Sequence, residues 1–312
     1  MAFTAQDVKA LREKTGVGMM ECKKALTEAD GDMDKAVDFL RERGLAAAAK
    51  KATRIAAEGV VLPYYDAEAK KGVVVEVNSE TDFVAKNEKF MDFVAGVAKT
   101  ILAKDPADVE ALCNAEYEAT GRTVTETLND LVLAIGENMK VRRFERMDGV
   151  VSTYIHGGGT VGVMIGFDVA DESKAATAEF DAMGKNVAMQ IAAMNPAYLD
   201  EASVPADIVE HEKSILAAQM KEDPKMASKP EAVLVKIASG KMSKYYKENC
   251  LVEQEFVRGD LFQGSVKGYI DSVAKELGTE IKATGFIRMQ KGDGLEKREE
   301  NFAEEIAKQI NG

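Results

Sequence analysis

The sequence predicts an α+β protein in which two duplicated core subdomains with antiparallel sheets follow a small helical domain. The first 50 residues carry apolar stripes at helical spacing, and two later segments with alternating apolar residues repeat at an offset of 90 residues. The chain of 312 residues has the length of about two domains. Its 46% of hydrophobic residues are enough to bury a sizeable core.

The first 50 residues predict a bundle of three short helices. Thr4 is a candidate N-cap for the first, and Thr15-Gly16-Val17-Gly18 breaks the helix. A second stripe begins at Met19, and Asp30-Gly31-Asp32 forms a turn and cap before the third. Residues 46–54 are expected to form a basic helical connector. A bundle of this size has little core of its own, and we expect it to bind another protein.

An internal repeat relates residues 59–101 to residues 149–191 without a gap. Both copies predict strand, turn, strand, loop and helix, because alternating apolar residues are followed by a stripe at helical spacing. In the second copy the strands flank Gly157-Gly158-Gly159, and glycine permits the backbone of a hairpin turn. The identities are Gly59-Val60-Val61 with Gly149-Val150-Val151, Tyr64 with Tyr154, Gly72-Val73 with Gly162-Val163, Phe90 with Phe180, Val97-Ala98 with Val187-Ala188, and Ile101 with Ile191.

The segments that follow the two copies differ. The second copy is interrupted by two helical segments, residues 205–221 and 230–247, with a proline at the start of each. We expect these to form an antiparallel helical hairpin that projects from the body. The other expected elements are helices near 107–119 and 124–139, a strand at 141–144, a helix at 264–277, a strand at 280–289 and a charged last helix at 295–310.

The elements define a predicted division of the chain. Its boundaries fall where helical patterns give way to strands, and at the two ends of the hairpin. The parts are residues 1–54, a three-helix domain with its connector; 55–148, the first core subdomain; 149–204, the first part of the second core subdomain; 205–247, the helical hairpin; 248–291, the second part of the second core subdomain; and 292–312, a C-terminal helical module.

Composition argues against several classes of partner. Lys and Arg number 41 and Asp and Glu 53, a net charge of −12, whereas a protein that binds duplex DNA needs a dense basic surface. The sequence has no run of 18 apolar residues, and its N-terminus lacks the basic and apolar regions of a signal peptide. We therefore expect a cytoplasmic protein without membrane attachment and without direct DNA binding.

The residue types that usually carry chemistry are sparse. Cys22, Cys113 and Cys250 lie far apart, and two histidines cannot build a His-rich site, so neither a disulfide framework nor a zinc ribbon is expected. His156 opens a His-Gly-Gly-Gly run that is similar to an esterase oxyanion loop, but the chain has no Gly-x-Ser-x-Gly nucleophile motif. A hairpin turn is the simpler interpretation, and we expect no cofactor and no bond chemistry.

The loop between strand and helix is the part that the two copies do not share. The first copy reads Asn78-Ser79-Glu80-Thr81-Asp82-Phe83-Val84-Ala85-Lys86-Asn87, whereas residues 168–177 contain no aromatic residue. Loops on rigid scaffolds often carry recognition. Phe83 has two interpretations. It is either a hydrophobic staple under its own helix, or a wedge that enters a partner's pocket with Asp82 as a charged contact beside it.

Four motifs carry a family resemblance: residues 11–26 (LREKTGVGMMECKKAL), 76–87 (EVNSETDFVAKN), 135–139 (IGENM) and 284–288 (TGFIR). Through them the chain resembles, over essentially its whole length, the translation elongation factor Ts family, the nucleotide-exchange factors of the GTPase elongation factor Tu. The resemblance implies a UBA-like three-helix N-terminal domain, a core of two related subdomains, a coiled-coil hairpin and a C-terminal helical module.

The resemblance also implies roles for individual residues. In this family the Thr-Asp-Phe-Val loop enters the nucleotide domain of elongation factor Tu, where the Phe wedges between two helices and disturbs the magnesium and phosphate site. Phe83 is the implied wedge. His156 is the implied contact with a more distal domain of the partner, with a solvated turn histidine as the alternative. The other implied contacts are Thr81, Asp82 and Val84 around the wedge, Arg12, Met19 and Met20 in the N-terminal domain, and Ile135.

Two other functions compete with nucleotide exchange. A hydrolase built on His156 lacks the nucleophile motif. A non-catalytic adaptor would bind a protein through the N-terminal bundle without changing nucleotide release. The helical hairpin likewise has two interpretations: it closes a homodimer, or it covers the body of its own chain.

Overall fold

The structure is a computed structural model that describes residues 3–118, 120–222 and 229–296, and it has the predicted α+β class. The helices are α1 (Ala5–Thr15), α2 (Met19–Glu28), α3 (Met33–Lys51), α4 (Asp82–Ala85), α5 (Glu88–Lys104), α6 (Val109–Asn114), α7 (Val124–Ile135), α8 (Ala178–Met194), α9 (Ala206–Glu222), α10 (Glu231–Asn249) and α11 (Val266–Leu277). The strands are β1 (Glu58–Asp66), β2 (Lys71–Ser79), β3 (Glu116–Tyr117), β4 (Arg122–Thr123), β5 (Met139–Asp148), β6 (Val150–His156), β7 (Val161–Val169) and β8 (Ile281–Gln290).

The first three helices form the predicted bundle. α1 begins with a capping box in which the side chains of Thr4 and Asp7 each accept the other's backbone N–H, and it ends at Gly16 with φ +70°. The expected basic connector is the end of α3, which continues without a break to Lys51. The bundle core is formed by Val8, Leu11, Val17, Cys22, Ala25, Leu26, Ala29, Ala36 and Leu40.

The bundle is fixed to the rest of the chain because α3 packs along α7. Gly44 lies at this contact, where a Cβ atom would stand 3.3 Å from the carbonyl oxygen of Asn129. Leu133 of α7 packs on the bundle core, and Ala48 of α3 packs on the core of the first subdomain. The contact supplies apolar burial that a bundle of this size cannot provide alone.

Two antiparallel three-stranded sheets repeat the same order, β1-β2-β5 and β6-β7-β8. The bounds of β2 and β7 lie 90 residues apart, as do those of α5 and α8, so the sequence repeat is also a structural repeat. The sheets share an irregularity as well. Each central strand has a register shift after the same position, Glu76 in the first copy and Gly166 in the second.

Each sheet carries a repeated helix on its outer face and packs on the other sheet with its inner face. α5 buries Phe90, Val94 and Val97 against the alternating valines of β2, and α8 covers β7 in the same way. The layers are therefore helix, sheet, sheet and helix. The cluster between the sheets consists of Val61, Val74, Val151, Met164 and Met289.

Two glycines at equivalent positions let the sheets approach each other. A Cβ atom at Gly72 would lie 2.8 Å from Met164 Sδ and 3.5 Å from Val151 Cγ1. A Cβ atom at Gly162, its equivalent in the second copy, would lie 2.6 Å from Val61 Cγ1. Because Val61 and Val151 are also equivalent, each copy places its glycine beneath the other copy's valine. The interface between the copies is therefore approximately two-fold symmetric.

The segment after the first copy differs from the prediction. The helix expected near residues 107–119 covers only α6, because the chain turns extended after Asn114 and Tyr117 stacks on Phe93 with 5.7 Å between ring centroids. The short ladder of β3 with β4 follows it. The helix expected up to residue 139 ends at Ile135, since Gly136 adopts φ +93°. Both helices were predicted too long.

The second copy is interrupted by the helical pair that the prolines predict. Helices α9 and α10 pack against each other, and Lys241 Nζ of α10 lies 3.5 Å from Gln219 Oε1 of α9. The end of α10 is tied to the body because Leu251 N–H donates to the carbonyl of Tyr198 at 2.9 Å. The helix predicted at residues 295–310 falls, from residue 297 onward, outside the described residues.

Candidate partner-binding site

The loop that the repeat does not share forms a single helical turn, α4, with its aromatic residue outside. Phe83 is 79% exposed, whereas its neighbour Val84 is 5% exposed and belongs to the core of the first subdomain. Successive residues of a helix point about 100° apart, so Val84 facing inward directs Phe83 outward. The staple interpretation of Phe83 is therefore wrong. Val84, which is also a predicted partner contact, anchors the loop from beneath in the free protein.

Thr81 precedes α4 at the cap position, but its hydroxyl makes no hydrogen bond to the helix. The hydroxyl donates to Glu137 Oε1 at 2.6 Å, and the backbone N–H of Thr81 donates to Glu137 Oε2 at 3.0 Å. Ser79 Oγ donates to the Thr81 carbonyl at 2.9 Å. The start of the loop is thus held by the segment that follows α7.

A second set of contacts joins the same two segments. Glu80 accepts the backbone N–H of Asn138 at 2.5 Å, and Arg54 Nη1 lies 3.4 Å from Glu80 Oε1. Asn138 Nδ2 donates to the Arg54 carbonyl at 2.8 Å. The motif at residues 135–139 therefore supports the loop motif at residues 76–87. Both motifs are evident in the sequence, but roles were predicted only for residues 81–84 of the first and for Ile135 of the second, and so Glu80, Glu137 and Asn138 were missed.

Asp82 and Lys86 frame the exposed ring of Phe83. Lys86 Nζ lies 3.0 Å from Asp82 Oδ2, one helical turn apart, and both side chains are exposed. The hydrogen bond from Lys86 lowers the pKa of Asp82 below its ordinary value, so this carboxylate is ionised at neutral pH. Asp82 is therefore an exposed charged group next to Phe83 in the sequence, and its contact with a partner stays a prediction.

The N-terminal bundle exposes both methionines predicted as contacts, Met19 at 42% and Met20 at 67%. Arg12 is exposed as well. The turn before Met19 is tied to the core because Lys89 Nζ donates to the Gly16 carbonyl at 3.2 Å. Lys89 lies six residues after Phe83. This hydrogen bond therefore connects the turn before Met19 to the helix that follows the Phe83 loop.

The two remaining predicted contacts differ in exposure. Ile135, at the end of α7, is half-buried against the core of the first subdomain. His156 is exposed at the end of β6, with Nδ1 3.3 Å from Tyr154 Oη. The hairpin turn beside it docks on the first sheet, because the Gly159 carbonyl accepts the N–H of Val61 at 2.8 Å. The hairpin tip thus lies near the start of β1, the end of the sheet from which the Phe83 loop leaves.

The thiols have the character of structural residues. Burial raises the pKa of Cys250 to about 11 and raises those of Cys22 and Cys113, which makes each a weak nucleophile at neutral pH. Among the described residues, no three His, Cys, Asp or Glu side chains are placed to share a metal ion. Within the same ranges, no helix is long and apolar enough to cross a membrane.

The described part of the chain combines a duplicated α+β core with an exposed aromatic residue, a feature typical of proteins that bind another protein. It presents an exposed aromatic ring on a loop that side-chain hydrogen bonds support, and two exposed methionines on the N-terminal bundle. A family model described as Elongation factor TS matches residues 80–293. The chain belongs to the elongation factor Ts family, a family of translation elongation factors.

Full-length relatives support the assignment. The chain is 46% identical to an Elongation factor Ts of Clostridium novyi over 312 residues, which cover 99% of each chain. It is 48% identical to an Elongation factor Ts of Clostridium kluyveri over 315 residues, again covering 99% of each. The identity to an Elongation factor Ts of Clostridium perfringens is 49% over 310 residues and 98% of each chain.

Proposed function

We propose that this protein is a guanine-nucleotide exchange factor that binds elongation factor Tu in its GDP form and promotes release of the nucleotide. The observation that carries the proposal is Phe83, an aromatic side chain left 79% exposed on a loop held by several side-chain hydrogen bonds. A large apolar ring in water is unfavourable by itself. Aromatic anchors that enter a partner's pocket are typical interface hot spots.

The proposed mechanism acts through the partner's Mg²⁺ site. Mg²⁺ requires near-ideal octahedral geometry, and it is often the largest local charge in a phosphate site. A ring wedged between the helices that hold this site would displace ligands by about 1 Å, which is enough to weaken the coordination. The exchange factor then binds the nucleotide-free partner more tightly than the GDP-bound one, and by linkage GDP weakens its binding equally. The factor itself makes and breaks no bond.

The other predicted contacts extend the same interface. Arg12, Met19 and Met20 are exposed and are proposed to contact the nucleotide domain that Phe83 enters. Ile135 is proposed as a lesser contact, because its side chain is partly buried against its own chain. His156 is proposed to reach a more distal domain of the partner. We place the protein in the cytoplasm, where translation elongation takes place, without membrane attachment or direct DNA binding.

The test is stopped-flow release of fluorescent GDP from elongation factor Tu, with Mg²⁺ present and unlabelled GDP in excess. Sub-stoichiometric amounts of this protein should accelerate release by at least about 100-fold, a lowering of the barrier by about 3 kcal/mol. A tight complex with elongation factor Tu and an unchanged release rate would instead identify a non-catalytic adaptor. Bovine serum albumin at equal concentration controls for non-specific effects.

We also propose that the helical hairpin closes a homodimer. Val235 on α10 is 62% exposed, and Val233 and Ile215 are partly exposed on the same pair of helices. Sedimentation velocity should show a mass that rises with concentration, and V235E should remain monomeric because a charge cannot be buried there without a partner. L261E, at a residue 51% exposed outside the hairpin, should behave as wild type. A monomer at all concentrations would contradict the proposal.

A further inference from the structure

We propose that Glu137 is a positioning residue that holds the Phe83 loop in its binding conformation. The proposal rests on the exchange function proposed above and adds to it a residue that need not touch the partner. Three features of the structure support this role: the two hydrogen bonds from Thr81 to Glu137, the packing of α7 behind Glu137, and the shortness of α4.

Glu137 binds the loop with both oxygens of its carboxylate. Oε1 accepts the Thr81 hydroxyl at 2.6 Å and Oε2 accepts the Thr81 backbone N–H at 3.0 Å. Two bonds to one residue fix its orientation as well as its position, and bonds to a carboxylate are the stronger kind. Thr81 immediately precedes α4, so this pair of bonds sets where the helical turn begins and where Phe83 points.

The support behind Glu137 is rigid. α7 ends two residues earlier with Gly136 at φ +93°, and this turn directs Glu137 toward the loop. α7 is packed between α3 of the bundle and α5 of the core. Asn138, the next residue, makes the second attachment through Glu80. The loop is therefore joined, through Glu137, to the helix that also carries the N-terminal bundle.

The loop needs this attachment because α4 cannot hold itself. It has four residues, far fewer than an isolated helix requires, and its N-cap has no side-chain hydrogen bond. Val84 and the partly buried Ala85 pack one side of the turn on the core, but these two apolar contacts do not fix where the turn begins. Fixing Phe83 before the partner arrives lowers the entropy lost on binding, which is the general benefit of a preorganised loop.

The first test is the exchange rate of the full-length protein with elongation factor Tu. Glu137→Ala removes both bonds and should lower the acceleration of GDP release by about tenfold. Glu137→Gln should keep most of the rate, because its carbonyl oxygen can accept the Thr81 N–H while its NH₂ group donates to the Thr81 hydroxyl. A rate for Glu137→Ala equal to that of wild type would overturn the proposal.

Glu126 offers a matched control on the same helix. Its Oε2 accepts both the backbone N–H and the hydroxyl of Thr123, at 2.9 and 3.2 Å, in the capping box at the other end of α7. Glu126→Ala therefore removes an equivalent pair of bonds far along the helix from the loop. It should leave the exchange rate within about twofold of wild type. An equal loss in both variants would mean that general destabilisation of α7 is responsible, and the proposal would fail.

A double-mutant cycle separates positioning from direct contact. If Glu137 acts through Phe83, then Glu137→Ala should lower the rate by less than about twofold when Phe83 is already alanine. A full tenfold loss in that background would show that Glu137 contributes independently of the ring. That result would overturn the positioning role while leaving the exchange function intact.

Hydrogen exchange of the free protein gives a readout that does not involve the partner. The amides of residues 80–86 should lose protection in Glu137→Ala and keep it in Glu126→Ala, because only the first variant releases the loop. If wild type failed to accelerate GDP release, the exchange function would be wrong, and this measurement would still decide whether Glu137 holds the loop. Unchanged protection in Glu137→Ala would overturn the proposal.

Discussion

Phe83→Ala should lower the acceleration of GDP release by about 30-fold or more, the effect of losing about 2 kcal/mol of contact at an interface hot spot. The ring is 79% exposed in the free protein, so its removal should change the free energy of unfolding by no more than about 0.5 kcal/mol. Stopped-flow release of fluorescent GDP and denaturant unfolding measure the two quantities. Together they separate a functional loss from a folding defect.

Leu261→Ala is the matched control for this variant. Leu261 is also a large apolar residue and is 51% exposed. It lies in the second core subdomain, far in the sequence from the Phe83 loop. Its replacement should leave the release rate unchanged. Equal acceleration by wild type and Phe83→Ala would keep the exchange function but place the displacement of the Mg²⁺ site on other contacts, such as those of the N-terminal bundle.

The second large effect concerns a buried carboxylate that joins the two sheets. Glu76 is fully buried in β2 and accepts Arg142 Nη1 at 3.0 Å and Arg143 Nε at 2.6 Å from the neighbouring strand β5. It also accepts Asn78 Nδ2 at 3.0 Å. The backbone N–H of Gly292, in the turn after β8 of the other sheet, donates to it at 2.8 Å.

Glu76→Ala should therefore destabilise the fold by about 3–5 kcal/mol, because it leaves the buried N–H of Gly292 and two partly exposed guanidinium groups without the carboxylate that they bind. Urea or guanidinium unfolding followed by circular dichroism measures this. Glu145→Ala, at an exposed residue of β5, is the matched control and should change stability by about 0.5 kcal/mol or less. A similar small change for Glu76→Ala would show that the network contributes little to the fold.

The same carboxylate should make stability depend on pH. Burial raises the pKa of Glu76, but the hydrogen bonds from Gly292, Asn78, Arg143 and Arg142 outweigh burial, so its pKa in the folded protein is lowered from 4.5. Its contribution is then fully present above the unfolded-state pKa and is lost as the pH falls through the lower folded value. The stability difference between wild type and Glu76→Gln should therefore be constant near neutral pH and shrink below about pH 4.5. A difference that does not change down to the acid transition would contradict this assignment.

Much of the candidate site could be predicted from sequence because its signals are local. The repeat isolated residues 78–87 as the segment that the two copies do not share, and within it Phe83 as an apolar residue in a polar context. Its exposure could not be decided from the sequence. The same residues permit a staple or a wedge, and the choice depends on which of two adjacent apolar side chains the core accepts. In the structure the core accepts Val84.

The residues that support the loop and the sheets could not be predicted from the sequence, for a different reason. Glu137 and Thr81 lie 56 residues apart in the sequence, and no local pattern relates them. The same holds for Glu76. From the sequence, a single Glu in a run of valines could be a solvent-exposed residue of an edge strand, whereas in the structure it accepts hydrogen bonds from Arg142, Arg143 and Gly292. Such contacts depend on the register of β5 against β2 and on the path of the chain after β8.

By itself, then, the sequence determined the class of the fold, the duplication, the helical hairpin and the position of the candidate binding loop. These follow from caps, from periods of 2 and 3.6 residues and from self-similarity, which are properties of short segments. Only the tertiary structure decided that the two copies pack sheet to sheet, that Phe83 is exposed, and that the end of α7 supports its loop. Those outcomes depend on which apolar surfaces, distant in the sequence, are buried against each other, and that is a property of the whole chain.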